Sequence, residues 1–146
     1  MTGPDDRLDA DMRARIVVVA QAMSAAPEDL PSLGHIRDDA APSCWRDVDG
    51  AWHLTIRERG EVMFDRHSTD ADEYLSWVAV SIAEQASYRL HPPGTDGFQR
   101  ATWHEQYRLL AAVEQRWADD WLMRTRARLT AAGVDNSVLD DLPAPS

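Results

Sequence analysis

The chain contains no lysine: all fifteen of its basic residues are arginines. Lysine acylation is therefore excluded as a means of control, and every positive charge sits on a rigid, permanently ionised fork. A GC-rich coding bias accounts for the same pattern without any functional demand. Cysteine is almost as scarce. The single Cys44 excludes an internal disulfide and any multi-cysteine metal knuckle. Beside Trp45, at the start of a strand, its simplest role is that of a small buried hydrophobe. The seven glycines are scattered at turns, so the chain has no glycine-rich phosphate cradle and no Gly-x-Ser-x-Gly elbow. Long apolar runs are missing too, since "IVVVAQAM" is too short to span a bilayer. The opening "MTGPDDRLDADMR" is acidic and lacks the apolar stretch of a secretion signal. The expected location is the cytoplasm.

What is present describes one globular unit. The chain has 146 residues, 44% apolar and 27% charged, enough for a genuine core in a single domain, 1–146. An ordered core is expected over about 8–133, with residues 134–146, "VDNSVLDDLPAPS" and its approach, as a mobile tail. Twenty-five acids face fifteen arginines, a formal charge of −10. Such a balance opposes binding to nucleic acid or an anionic membrane, both polyanions, and favours a basic protein partner. The first third is the most acidic, through Asp5-Asp6, Asp9, Asp11, Asp38-Asp39, Asp47 and Asp49.

Met12, Ile16, Val19 and Met23 recur at helical spacing and predict a packed helix from about Leu8 to Ala25. Pro27 and Pro31 open an irregular connection, "PEDLPSLGHIRDDAAPS". Trp52, Leu54 and Ile56 then alternate with His53, Thr55 and Arg57, and Val62 and Phe64 with Met63 and Asp65. Period two assigns strands with one apolar face. Asp49-Gly50 and Glu58-Arg59-Gly60 supply the turns of a three-stranded antiparallel meander. Asp70, with Glu73 three residues on, caps a helix whose Leu75, Val78, Ile82 and Ala86 share a face. One long helix follows, Phe98 to about Ala132, with a bend allowed near Ala118-Asp119-Asp120 and Arg124, Arg126 and Arg128 complementing its C-terminal dipole.

Few constellations carry chemistry. The histidines at 35, 53, 67, 91 and 104 include no pair at i+3 or i+4, so no helix presents a metal face. His67 with Asp65 and Asp70 is the nearest set that could hold a metal or form a base–orienter pair, and a small hydrolase or metal-dependent enzyme is the alternative it carries. "WHEQY" holds half of a zincin helix, but position 108 is Arg rather than His. Asp119 and Asp120 point about 100° apart on a helix and cannot share a proton. Six tryptophans are the richest resource. Trp52 and Trp117 sit in core register, whereas Trp77, Trp103 and Trp121 lie at stripe edges, where aromatic side chains beside acids suit a protein-binding surface.

The order "HLTIRERGEVMFDR", "TDADEYLSWVAVSIAEQASYRL", "FQRATWHEQYRLLAAVEQRWADDW" resembles the bacterial polymorphic-toxin immunity proteins of the immunity protein 63 family. The resembling features are the strand–Glu58-Arg59-Gly60–strand unit, the Glu73-centred helix start, and the run Arg100, Trp103, Gln106, Leu109-Leu110, Trp117. The resemblance implies a small cytoplasmic antitoxin that binds and neutralises a cognate secreted toxin, with no catalytic residues, no cofactor and no metal. Many such toxins are nucleases with basic clefts, to which an acidic inhibitor is steered.

The reading that follows is an α+β domain, a short antiparallel meander of about three strands packed on three or four helices, the last one long. Its role is stoichiometric protein binding, not catalysis. Asp38, Asp39, Asp47 and Asp49, with Trp45 as aromatic anchor, are the expected partner-binding residues. An acidic adaptor for some other basic protein is the remaining alternative.

Overall fold

The computed structural model describes residues 6–144, so Asp5 and the last two residues of the tail lie outside the description. The architecture is α+β, a four-stranded mixed sheet with helices. Helix α1 spans Ala10–Ala22, shorter at both ends than its apolar stripe predicts. Asp9 caps it, accepting from the Met12 N–H at 3.1 Å. At the other end Ser24 takes a left-handed φ of 53°, and the amides of Ser24 and Ala25 reach back to the Gln21 and Ala20 carbonyls. That pair of bonds is a Schellman stop, and it ends the helix before Pro27 can. Met12, Ile16 and Val19 are buried, as the stripe requires.

The connection read as irregular contains more structure than its composition suggests. Pro27–Asp29 forms a 3₁₀ turn, Ser32–Leu33 is a two-residue strand β1, and β2 runs Asp39–Arg46 rather than starting at Cys44. Strand β2 tolerates Pro42 because the register slips between Asp39 and Pro42, where Ala40 adopts φ 67°. Strands β3, Trp52–Glu58, and β4, Glu61–Ser68, complete the meander. The sheet order is β1-β2-β3-β4, with β1 parallel to β2 and the other pairs antiparallel. The charged knot between β3 and β4 is a tight hairpin tip. Arg59 and Gly60 both have positive φ, 52° and 80°, as a two-residue turn that follows the strand twist demands.

Past the tip, one residue changes the pattern. Arg57 pairs with Val62, but Ile56 pairs with Phe64, so Met63 is a bulge. Val62 and Phe64 therefore lie on opposite faces of the sheet, not on one apolar face, and both are largely exposed.

Helix α2, Ala71–Leu90, is the centre of the domain. Asp70 caps it, accepting from the Asp72 and Glu73 amides. Leu75, Val78, Ile82 and Ala86 are buried, and so is Tyr74, whose hydroxyl donates to the His53 carbonyl at 2.7 Å. Cys44 packs in the same core. Burial pushes its thiol up to about 12.

The single long helix expected after residue 98 is two helices. Helix α3, Phe98–Val113, and α4, Gln115–Ala131, meet at Glu114, whose φ of −152° and ψ of 115° are extended. The break falls before Ala118-Asp119-Asp120 and uses neither Gly nor Pro. Folding the chain back there lets Leu109 and Leu110 share one core with Ala118 and Leu122. Tyr107, Gln115 and Asp119 staple the corner through hydrogen bonds of 2.8 to 3.1 Å. Within the expected tail, residues 136–139 form a short helix α5. Leu142 is buried in the core, and Gln99 and Arg100 hold Asp141 and Asp140.

Two outcomes follow from this packing. Tyr74→Phe removes one buried hydroxyl and leaves the ring, so it should cost about 1–3 kcal/mol in a denaturant titration. Cys44 should resist a thiol reagent at pH 8 while the chain is folded and react fully in denaturant.

Candidate functional site

Strand β3 lies between β2 and β4, and its side chains alternate between the helix-packed face and the opposite, polar face. His53 and Thr55 point to the polar face, opposite Trp45 on β2 and His67 and Asp65 on β4. The His53 ring lies 4.1 Å from the Trp45 ring and 4.9 Å from the His67 ring, stacked on both. Trp45 donates its indole N–H to Thr55 Oγ1 at 3.1 Å. His53 is only 8% exposed.

Both nitrogens of that buried ring face carboxylates. Nδ1 lies 2.9 Å from Asp65 and Nε2 lies 2.8 Å from Asp47. A neutral imidazole has one N–H and could donate to only one of them. Two such bonds call for the imidazolium. Burial opposes that charge, but the two carboxylates outweigh it and hold His53 above its ordinary value. The His53 hydrogen bond, with the Ala51 amide, in turn lowers Asp47. The result is an ionic clamp joining the β2–β3 turn, β3 and β4.

His53, Asp65 and His67 also bring one donor atom each within 4.8 Å of one another. His67 Nδ1 stands 3.7 Å from the second oxygen of Asp65. A divalent ion could use these three groups only by displacing the ring protons that now face carboxylates. Of the set read from sequence, His67 and Asp65 come together and Asp70 does not, because its carboxylate is spent capping α2. His53 takes its place.

The five expected partner-binding residues fall at two ends of β2, about 25 Å apart along an extended strand. At one end, Asp38 accepts from the Gly60 amide at 2.9 Å and steadies the hairpin tip, and Asp39 pairs with Arg37. At the other, Asp47 closes the β2–β3 turn by accepting from the Asp49 and Ala51 amides. Val48 is fully exposed between it and Asp49, and Trp45 stands nearby, half-buried over His53. Asp47, Val48, Asp49 and Trp45 thus make one local patch, and Asp38 and Asp39 a separate one. Among the other tryptophans, Trp77 and Trp103 are half-buried, as their stripe-edge positions predict. Trp121 is buried instead, and Trp52 and Trp117, expected in the core, are half-buried like Trp77 and Trp103.

The model of a family described as immunity protein 63 matches residues 49–127, more than half of the chain. The matched segment runs from the β2–β3 turn through most of α4 and includes His53, Asp65 and His67. No curated protein and no solved structure matches the chain.

The clamp has a definite pH signature. A raised histidine contributes stability in full below its unfolded value near 6.5 and loses it as pH climbs through the folded value. The lowered Asp47 contributes above its unfolded value near 3.8 and loses it as pH falls. Unfolding free energy should therefore fall as pH rises from below the ordinary histidine value of 6.5 into the alkaline range, and His53→Gln should flatten that slope. Equilibrium denaturation of both proteins across this range measures it, and a His53→Gln slope equal to the parent's would refute the clamp.

Proposed function

We infer that this chain, which belongs to the immunity protein 63 family, binds a cognate secreted toxin domain one to one and neutralises it in the cytoplasm of the cell that makes both, without catalysing a reaction. The family match carries the reading. Among the described residues no helix is long and apolar enough to cross a membrane, in keeping with a partner met in solution. The charge of −10 gives a basic toxin a long-range pull towards the inhibitor.

The contact of choice is the β2–β3 turn. Asp47 and Asp49 bracket a fully exposed Val48 beside Trp45, which sets an apolar tip and an aromatic plane between two negative charges. That combination resembles a small hot spot with its own steering field. Asp38 and Asp39 extend the field along the same strand. Asp39 is paired with Arg37 and Asp47 with His53, which offsets part of their field, so Asp49 and the overall charge of −10 carry most of the steering.

Co-expression with the C-terminal domain of the product encoded by the adjacent upstream gene tests the role directly. Growth rescue, with a one-to-one complex on a sizing column, is the expected result. In the purified pair, Asp49→Arg with Asp39→Arg should slow association about tenfold at low salt and have less effect at high salt. Binding that ignores these reversals at low salt would remove the acidic residues from the interface, and absence of both complex and rescue would remove the immunity role itself.

A further inference from the structure

The helix-packed side of the sheet does not close completely. Between β3–β4 and helices α2 and α4 lies an open groove of about 660 Å³. Ile56 and Phe64 line it from the sheet, and Trp77, Trp103, Trp117 and Trp121 line it from α2, α3 and α4. Four of the six tryptophans of the chain therefore meet in one place.

Three guanidinium groups line this aromatic groove, Arg66 from β4 and Arg124 and Arg128 from α4. Arg66 lies over Trp77, its Cζ 4.0 Å from the ring centre. Burial and the Arg124 charge both work against the Arg66 charge, and Glu73 offsets them only in part. Seven other arginines pair with carboxylates, whereas among the described residues neither Arg66 nor Arg124 forms an ion pair. A chain with twenty-five acids has not run short of partners. Glu84 and Asp120 also line the groove, but burial pushes the Glu84 carboxyl towards its neutral form, with Arg128 opposing. The groove is a local site of positive charge on an acidic protein.

A second feature adjoins it. Strand β4 pairs with β3 alone, so its outer edge is free among the described residues. Edge strands are commonly guarded by lysine, proline or short length. Here the edge is eight residues long, its one guard is the bulge at Met63, and it carries Val62, Met63 and Phe64 at 55%, 61% and 43% exposure. A segment pairing along it would place alternate side chains on the groove side, beside Phe64 and Arg66.

We propose that the free edge of β4 and the adjoining groove receive an extended segment of the toxin carrying an aspartate or glutamate two residues from an apolar residue, with the carboxylate seated between Arg66 and Arg124 and the apolar side chain against the tryptophans. This rests on the immunity reading and assigns the inhibitor a second contact, opposite in sign to the acidic turn. The segment relieves two like charges held together, satisfies an unpaired strand edge and covers exposed apolar surface in one step.

The test uses the full chain and the C-terminal domain encoded by the adjacent upstream gene. Arg124→Glu should weaken their complex about tenfold, and Arg66→Glu with Arg124→Glu about a hundredfold or more. Arg124 is exposed, so the single variant guards against a folding defect in the double one, and thermal melts of both check this. Hydrogen exchange over residues 61–68 should slow only in the complex. Parental affinity in both variants, or unchanged exchange over 61–68 in the complex, overturns the proposal and leaves the immunity role standing. Protection of 61–68 in the free chain that grows with its concentration assigns the edge to a second copy and also overturns it. A parental chain that neither binds the domain nor rescues growth defeats the immunity reading and this proposal together.

Discussion

The hydroxyl of Tyr74, donating to the His53 carbonyl at 2.7 Å, fixes the relation on which the rest of the domain depends. Tyr74 is completely buried, and a buried hydroxyl without a partner costs several kcal/mol on the order of 2–7. That carbonyl, with the Cys44 thiol beside the hydroxyl, therefore selects where the ring enters the core. This sets the position of α2 against β3 along the strand and about its own axis. Other elements then attach to α2 through equally specific polar contacts. Asp29, 2% exposed, takes the Arg89 guanidinium and the Ala26 amide, joining the 3₁₀ turn to the end of α2. Gln106 donates to Ser87 at 3.0 Å and joins α3 to it. Apolar burial supplies the bulk of the driving force, but it is non-directional, and these bonds choose the arrangement.

His53 is held from both sides. Its carbonyl receives α2 on one face of the sheet, and its ring is clamped by Asp47 and Asp65 on the other. The residue thereby couples the helix-packed core to the polar face and to the β2–β3 turn, where the acidic patch stands. A rigid turn presents Val48 and Asp49 without the ordering cost that a flexible loop would incur on binding.

Much of this was legible in the sequence where the signal is local. The α2 cap at Asp70, its stripe of Leu75, Val78, Ile82 and Ala86, and both hairpin turns need only neighbouring residues, and all stand in the structure. What escaped depends on single backbone events that composition does not mark. Counting pairs outward from the tip would set His53 opposite Arg66, and the bulge at Met63 moves it opposite His67 instead. Since a slip of one residue exchanges the two faces of a strand, the clamp could not be assembled without knowing that bulge. Asp70 looked like a ligand for His67 because the two are close in sequence, yet the capping role it also showed is the one it fills. The break at Glu114 is similar. An uninterrupted apolar stripe reads as one helix, and only the need to cover that stripe from both sides folds it in two.

The same break creates the groove. A continuous helix from residue 98 to 131 would carry Trp117 and Trp121 away from Trp77 and the sheet, whereas the reversal at Glu114 brings them into one cavity with Trp103. Arginine suits that cavity in a way lysine would not, because its planar fork can lie on an indole face and still offer N–H donors at its edge. With no ion pair to Arg66 or Arg124 among the described residues, like charges stay together in the free protein, an arrangement that favours a partner able to supply a negative group and disfavours any other. In the proposed complex, attraction through the acidic turn would be long-ranged and tolerant of which basic protein arrives. Discrimination requires a contact that only the right partner completes, and an unfilled cationic groove beside a free strand edge meets that requirement.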